Sequence, residues 1–406
     1  MSIRVLNSKI YENGVFRPVK ELDIKALCED IEYKNCFIIP GLADVHVHLR
    51  EPGYSYKETM KSGTLAGAYG GYTALCSMPN LDPCPDCLEN LKVQTDIIEK
   101  NARVAVLPYG SISVGRKGQK LADIARLAPY VAAFSDDGSG TESLDIMREA
   151  FLEAKKFGKI VASHCEDLRY LKEGGCVHEG RYSEANGLIG ISSESEYKQL
   201  ERDIALLRET GASYHVCHVS AKESVALIRG AKKEGLDISA EVSPHHLLLC
   251  EDDLRDCGCF KMNPPLRSEE DRKALVEGIQ DGTLDIIASD HAPHSFEEKS
   301  LGLKDSLMGI VGLETAFPLL YSELCLKGLI SLEKLVELMS LNPRRRFKIK
   351  EDPGLCIVDP GAQYKIDSKE FKSLGKSMPF EGKIVSGKIL ATLNHRGEAV
   401  CLREQI

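Results

Sequence analysis

No stretch of the 406-residue sequence approaches the roughly 18 consecutive apolar residues needed to span a bilayer. The opening residues, MSIRVLNSKIYENG, lack the apolar core of a signal peptide, so the expected location is cytoplasmic. Basic runs are missing as well. The 52 Lys and Arg against 61 Asp and Glu leave a net charge of −9, which argues against nucleic acid as a partner. No internal repeat or low-complexity linker is visible. With 43% apolar and 28% charged residues the composition is that of a globular protein, which excludes disorder, collagen and coiled coil. The 14 cysteines are scattered, many inside apolar runs (Cys76, Cys217, Cys250), and this suits buried reduced thiols better than a disulfide framework. Two local pairs, Cys84/Cys87 and Cys257/Cys259, have spacings found in structural zinc sites, but loop cysteines are the favoured reading.

What is present is a period. Short apolar, β-branched runs end in polar or Gly/Pro punctuation, and a helical stretch follows. The runs lie at 36–48, 72–80, 103–113, 130–138, 159–167, 213–220, 236–246 and 284–294. Helix-like stretches lie at 56–70, 84–100, 141–157, 193–210, 221–234 and 268–280. Apolar runs without alternation suit strands buried on both faces, as in a parallel sheet. Eight such alternations predict an α/β fold, a (β/α)8 TIM-like barrel, with a doubly wound open sheet as the alternative. The flanks differ. The first 40 residues read as short strands with an Asn-Gly hairpin signal in NSKIYENGVF, and residues from about 350 onward are again strand-like. The expected division is therefore 1–40, a barrel over 41–347 closed by a helix at 331–347, and 348–406. The two ends are expected to meet as one small β-domain.

The histidines fall at particular places in this period. His46, His48, His164, His218, His245, His246 and His291 sit at or just past the ends of proposed barrel strands, and His294 follows. Asp136/Asp137 end the fourth run and Asp290 lies in the eighth. Strand C-terminal ends form the active-site face of a barrel, so these groups are expected to converge. Imidazoles with carboxylates in one basin suit a first-row metal, most simply Zn2+. His46 and His48, two apart on a strand, point to the same side. His164 and His218 each end an apolar run, where an unpaired imidazole is costly, and are read as ligands. His291 is read as a satisfied neighbour of Asp290, and His245 and His246 as structural hydrogen-bonders. His178, His215 and His395 carry no pattern.

The strings PGLADVHVHLREPG (40–53), MNPPLRSEEDR (262–272), ASDHAPHSFEEK (288–299) and GLET (312–315) resemble the class I dihydroorotases of the amidohydrolase superfamily. The resemblance runs over essentially the whole chain. It implies a barrel with a β-sandwich built from both termini and a metal-dependent cyclic amidohydrolase. The implied reaction is reversible closure of N-carbamoyl-L-aspartate to L-dihydroorotate in de novo pyrimidine biosynthesis, with a metal-activated hydroxide as nucleophile in the hydrolytic direction. It implies one or two Zn2+ per subunit. His46, His48 and Asp290 match ligands of a first metal, and His164 and His218 those of a second. An aspartate bridge is implied here, with Asp137 as the expected ligand and Asp136 as its rival. The fourth run ends in FSDDG without the lysine that bridges metals in hydantoinases and allantoinases, which argues against those activities. Asp290 is the implied general acid/base. Arg50, Asn80 and His294 match groups that hold substrate carboxylate, and Asn263 one that contacts the ring. Gly309 and Gly312 either let backbone approach the ring or are turn glycines. The loop 295–305 is expected to close over the substrate. The implied partner is a small molecule. A homo-oligomer and a complex with aspartate transcarbamoylase are left open, while a silent scaffold for that enzyme is disfavoured, because none of the six expected ligands is missing.

Overall fold

The computed structural model describes residues 2–28 and 30–405, so residues 1, 29 and 406 of the expected flanks lie outside the described residues. Strand β1 (Ser2–Glu12) turns at Asn13 and Gly14 into β2 (Val15–Lys25), antiparallel to it. Both turn residues have positive φ (51° and 85°), the conformation a two-residue hairpin requires and the reason Asn-Gly signals one. Two short strands follow, β3 (Ile31–Lys34) and β4 (Phe37–Pro40), both parallel to β1.

After β4 the chain enters the barrel. Gly41 separates β4 from β5 (Leu42–Val47), so the first apolar run feeds two different sheets. A Cβ at Gly41 would lie 2.3 Å from Pro353 O and from the Thr73 side chain, and no other residue fits this crossing. β5 pairs in parallel with β6 (Tyr72–Ser77), which pairs with β7 (Ala105–Pro108). The strands β8 (Ile160–Ser163), β9 (Ser213–Val216), β10 (Ile238–Val242) and β11 (Ile286–Ile287) form a second parallel group. The fourth run joins the two groups only at Phe134, which bridges Gly110 on one side and Val161 on the other. It is not the full strand expected at 130–138, because the Asp136 carboxylate takes the N–H groups of Ile112 and Ser113 that a longer ladder would use. A bridge from Val47 to His291 closes the ring. The architecture is a barrel, and the open-sheet alternative falls.

Small side chains (Ala43, Ala74, Cys76, Ala133, Ala162, Cys217, Ala288) pack in one cluster with Tyr109 and Phe347. Helices at Met60–Tyr69, Leu88–Asn101, Leu144–Lys156, Glu194–Thr210, Lys222–Lys233 and Glu269–Asp281 follow the strands, close to the expected bounds. The last of these starts at a Ser268 capping box and stops at Gly282 with φ 83°. The closing helix 331–347 is continuous but passes through a π-turn at Glu337–Leu341. No helix of the described residues is long and apolar enough to cross a membrane.

The C-terminal strands β12 (Leu355–Lys365), β13 (Ile384–Leu393) and β14 (Ala399–Leu402) complete a seven-stranded sheet with β1–β4, the β-sandwich part of the molecule. Strand alternation divides its burial. Ile38 and Ile357 pack into the sandwich cluster, while their neighbours Ile39, Cys356 and Val358 pack into the main cluster with the barrel helices. The connection between β12 and β13 returns to the barrel mouth. There Glu314 accepts the Lys372 and Ser373 N–H groups at 2.9 and 3.3 Å, and the buried Glu58 accepts Ser373 Oγ and Leu374 N.

Burial raises the Glu314 carboxyl from its ordinary 4.5 to about 7, against the lowering effect of the two backbone donors. A folded pKa above the unfolded one means stability that is full below pH 4.5 and lost as pH rises through 7. Thermal unfolding followed over pH 4.5–7.5 is therefore expected to show wild type declining relative to Glu314→Gln, whereas parallel profiles would contradict the shift.

Candidate active site

A cavity of about 220 Å3 opens at the strand C-terminal ends, lined by His48, Arg50, Asn80, Asp137, His164, His218, Asn263, Asp290, His294 and Gly309, among others. Of the residues singled out for the site, His46, fully buried beneath, and Gly312 and Asp136 do not line it. A larger concavity of about 520 Å3, lined by Lys159, Asp237, Arg346 and Phe347, lies elsewhere and holds none of them.

Two sets of ligand atoms share one carboxylate. His46, His48 and Asp137 form one set, and Asp137, His164 and His218 the other, with the ligand atoms of each within 4.8 Å of one another. His46 Nε2 is 3.3 Å from Asp137 Oδ1, His48 Nε2 is 3.5 Å from Oδ2, and His218 Nε2 is 3.5 Å from Oδ1. His164 Nδ1 is 3.9 Å from Oδ1 and 2.9 Å from His218 Nε2. Asp290 Oδ1 lies 3.3 Å from His48 Nε2 and 3.5 Å from His46 Nε2. Two of these atoms, His46 Nε2 and Asp137 Oδ1, are buried and have no hydrogen-bond partner. Buried polar atoms are ordinarily satisfied, and a pair left bare at the meeting point of four imidazoles fits a divalent cation.

The rival aspartates separate cleanly. Asp136 Oδ1 accepts Ile112 N at 2.8 Å and Ser113 N at 3.1 Å, and Oδ2 accepts Ser113 Oγ. It is occupied by the loop it holds. Asp137 faces the imidazoles, with its backbone carbonyl fixed by the Arg116 guanidinium. Burial pushes the Asp137 carboxyl up, but His46, His218 and His48 outweigh it and hold it well below the usual range. Asp290 is likewise held down by His48, His46 and His218 against burial.

Backbone strain coincides with these groups. Arg50, His218 and Asp290 have φ of 58°, 29° and 48°, left-handed values that non-glycine residues avoid and that concentrate at functional sites. Gly309, at φ 133°, would place a Cβ 2.7 Å from Ala292 O, so this glycine is a close-approach position in the cavity wall.

The mouth is cationic on one side. Arg50 Nε donates to Pro293 O at 3.1 Å, and burial lowers the guanidinium only to about 10, so it stays charged. His294 sits beside it but is neutral. Burial, Arg50, Lys57 and Lys299 lower the imidazole to about 3. Its Nε2–H donates to Met308 O at 2.8 Å, and Lys57 Nζ lies 3.2 Å from Nδ1. On this side of the mouth the fixed positive charge is that of Arg50. Asn80 Oδ1 is 2.8 Å from His48 Nδ1 and orients that ring. Asn263 Nδ2 donates to Glu166 Oε1 at 2.7 Å and lies 3.3 Å from His164 Nε2.

The remaining histidines sort as follows. His291 faces Glu58 and Ser373 at 3.5 Å each and accepts Gly312 N, away from the cluster. His246 Nε2 donates to Pro264 O at 3.0 Å, whereas His245 Nε2 is buried without a partner, unlike the expected hydrogen-bonder. Residues that sequence reasoning missed are Glu241, His215, Glu166 and Lys57. Glu241 is fully buried, with Oε1 2.5 Å from His46 Nδ1 and Oε2 3.0 Å from His215 Nε2. Burial raises it, but these two imidazoles hold it at about 2. A glutamate inside the apolar run LDISAEVSPHH was the available signal. The cysteine expectation also changes: Cys257 and Cys259 are joined in a disulfide, while Cys84 and Cys87 are free.

A family model described as Dihydro-orotase-like matches residues 35–224. Curated relatives named dihydroorotase from Bacillus cereus (strain G9842) and Bacillus anthracis (strain CDC 684 / NRRL 3495) are each 45% identical over 403 residues, covering 95% of this chain and 94% of the relative. Among solved structures, L-hydantoinase (dihydropyrimidinase) from Arthrobacter aurescens superposes with a TM-score of 0.85 at 24% identity, covering 100% of this chain and 97% of that one. Dihydropyrimidinase from Brevibacillus agri NCHU1002 gives 0.83 at 21%, covering 100% and 96%. At such identities these two structures show the shared fold, a barrel with a β-sandwich, and nothing finer.

The two aspartates can be separated by mutation. Asp136→Asn is expected to lower stability by about 1.5–3 kcal/mol, the worth of hydrogen bonds to a charged group, with Zn2+ uptake retained. Asp137→Asn is expected to abolish Zn2+ uptake at one equivalent or more. Metal analysis and thermal melts of both variants check this, and the reverse pattern would exchange their roles.

Proposed function

The chain belongs to the dihydroorotase family, and we propose that its barrel mouth closes N-carbamoyl-L-aspartate reversibly to L-dihydroorotate in de novo pyrimidine biosynthesis. It is a cyclic amidohydrolase acting on a small molecule. The observation that carries the reading is the shared carboxylate of Asp137 between two imidazole pairs, beneath a mouth with a buried, charged Arg50.

In this reading His46, His48 and Asp137 would hold one cation, and Asp137, His164 and His218 the other, with Asp290 beside the first. Neutral imidazoles with a carboxylate favour Zn2+ among divalent cations. Bound there, it would lower the pKa of water toward about 7 and polarise the amide carbonyl. The protein's own groups do the rest. Arg50 offers its planar fork to a substrate carboxylate, with a neutral His294 beside it fixing the wall of the mouth. Asn80 orients His48. Asn263, held by Glu166, faces the ring.

Asp290 moves the proton. In hydrolysis it takes the proton from the attacking water. It returns it to the ring nitrogen as the C–N bond breaks. In ring closure it takes a proton from the carbamoyl nitrogen as that nitrogen attacks the carbon of the protonated carboxyl group, and gives that proton to the departing hydroxide, which leaves as water. A carboxylate held ionised by neighbouring imidazoles is ready to accept at neutral pH. Segment 295–305 closes over the substrate. It is anchored beside the mouth by the Glu298–Lys57 pair at 2.9 Å and by Lys299 Nζ, which donates to Leu307 O at 2.7 Å. Twelve of the 14 cysteines are free and one bond joins the near neighbours Cys257 and Cys259, a balance that supports a reducing, cytoplasmic setting. Every side chain used comes from this one chain, so the reading needs neither a second copy nor aspartate transcarbamoylase.

Zn2+-loaded protein is expected to hydrolyse dihydroorotate and to leave hydantoin and allantoin unchanged. Asp290→Asn is expected to lose about 10²–10⁴-fold in kcat. Turnover of hydantoin in preference to dihydroorotate, or full activity of the variant, would contradict the assignment.

A further inference from the structure

We infer that Glu241 is the positioning residue for the metal ligands, and that a one-way line of hydrogen bonds from Arg346 holds it in place. The inference rests on the reading above that His46 and His218 hold metal.

Glu241 lies in β10 with no exposed surface, and its carboxylate is surrounded by donors. Oε1 accepts from His46 Nδ1 at 2.5 Å and from the His218 backbone N–H at 3.2 Å. Oε2 accepts from His215 Nε2 at 3.0 Å. An ionised carboxylate has no proton to give, so each partner must supply one. His46 therefore carries its proton on Nδ1. In the neutral ring that a cation would bind, the lone pair is then on Nε2, the buried atom without a partner beside Asp137 and Asp290.

The same logic runs outward from Oε2. His215 spends its one proton at Nε2, so Nδ1 is an acceptor. The Ser239 hydroxyl, 2.8 Å from Nδ1, donates to it. Ser239 Oγ in turn accepts from Arg346 Nε at 2.7 Å. Arg346 is anchored by Tyr214 O at 2.8 Å and by an ion pair with Asp237. Donation thus runs in one sense from Arg346 through Ser239 and His215 to Glu241, where it ends, and the same carboxylate accepts from His46 and fixes the tautomer of that ring.

Two features make this more than packing. Glu241 touches a ligand in each of the two sets, the ring of His46 in one and the strained backbone of His218 in the other. One carboxylate thereby sets the spacing of both around Asp137. The line also ends outside the active-site cavity, at Arg346 in the separate 520 Å3 concavity. A residue that touches neither substrate nor metal would then set metal affinity. Outer partners of ligating histidines act in this way, fixing the tautomer and ring orientation.

The test is competition between the full-length protein and a chromophoric chelator for Zn2+. Glu241→Gln is expected to weaken Zn2+ binding by about 10–100-fold, and Ser239→Ala and Arg346→Met by about threefold or more in the same direction. Activity lost in Arg346→Met is expected to return as Zn2+ is raised, which a loss of fold would not allow. Folded variants that bind Zn2+ as wild type does would overturn the inference. If Glu241→Gln fails to fold, Ser239→Ala and Arg346→Met decide by the same criterion. A wild-type protein that takes up no Zn2+ would overturn the metal reading itself, which keeps the two failures apart.

Discussion

Two buried atoms with nothing to bond, His46 Nε2 and Asp137 Oδ1, face each other at 3.3 Å in the floor of the barrel mouth. A polar atom removed from water without a partner costs free energy, and a folded chain does not accumulate such atoms by chance in one place. Here four imidazoles and two carboxylates crowd the same few ångströms, and three residues around them hold left-handed backbone. The closed barrel makes that arrangement rigid. His46 lies in β5 at one edge of the β5–β6–β7 group and Asp137 just past Phe134, which bridges the other side of that group to β8, and the Phe134 bridges together with the Val47–His291 bridge fix their separation. A divalent cation would satisfy the bare nitrogen and the bare oxygen together.

The rest of the site follows from this constraint. A cation that binds Nε2 of His46 needs the proton of that ring on Nδ1, and the fully buried Glu241 secures it. It also needs Asp137 free of other donors, and the chain achieves this by giving the neighbouring carboxylate, Asp136, the loop to hold. Above the floor, the charge on Arg50 survives burial because Asp290 and Asp137 lie below it. The mouth therefore presents a fixed positive fork in a protein whose net charge is −9.

Much of this was legible in the sequence. Apolar runs at a regular interval gave the ring of strands, and the hairpin at Asn13-Gly14 was written in its turn residues. Histidines at run ends gave the convergence at the mouth. The fourth run was over-read. YVAAFSDDG has the composition of a strand, but its pairing is decided by where Asp136 sends its carboxylate, a tertiary choice that composition does not encode. His215 and Glu241 were missed for a related reason. Neither stands at a strand end, and their importance lies in contacts between β5, β9 and β10 that no local pattern announces. Asp136 and Asp137 could not be told apart until the donors around each were known. The neutrality of His294 depends on Lys57 and Lys299, distant in sequence or beyond a turn. The Cys257–Cys259 bond joins residues two apart in a loop, where spacing alone reads equally as free thiols.

Anomalous diffraction at the zinc edge from crystals of the metal-loaded protein addresses the shared carboxylate most directly. Two peaks are expected, flanking Asp137, one within bonding distance of His46 and His48 and the other of His164 and His218. Peaks held by other residues, or none at the barrel mouth, would contradict the account.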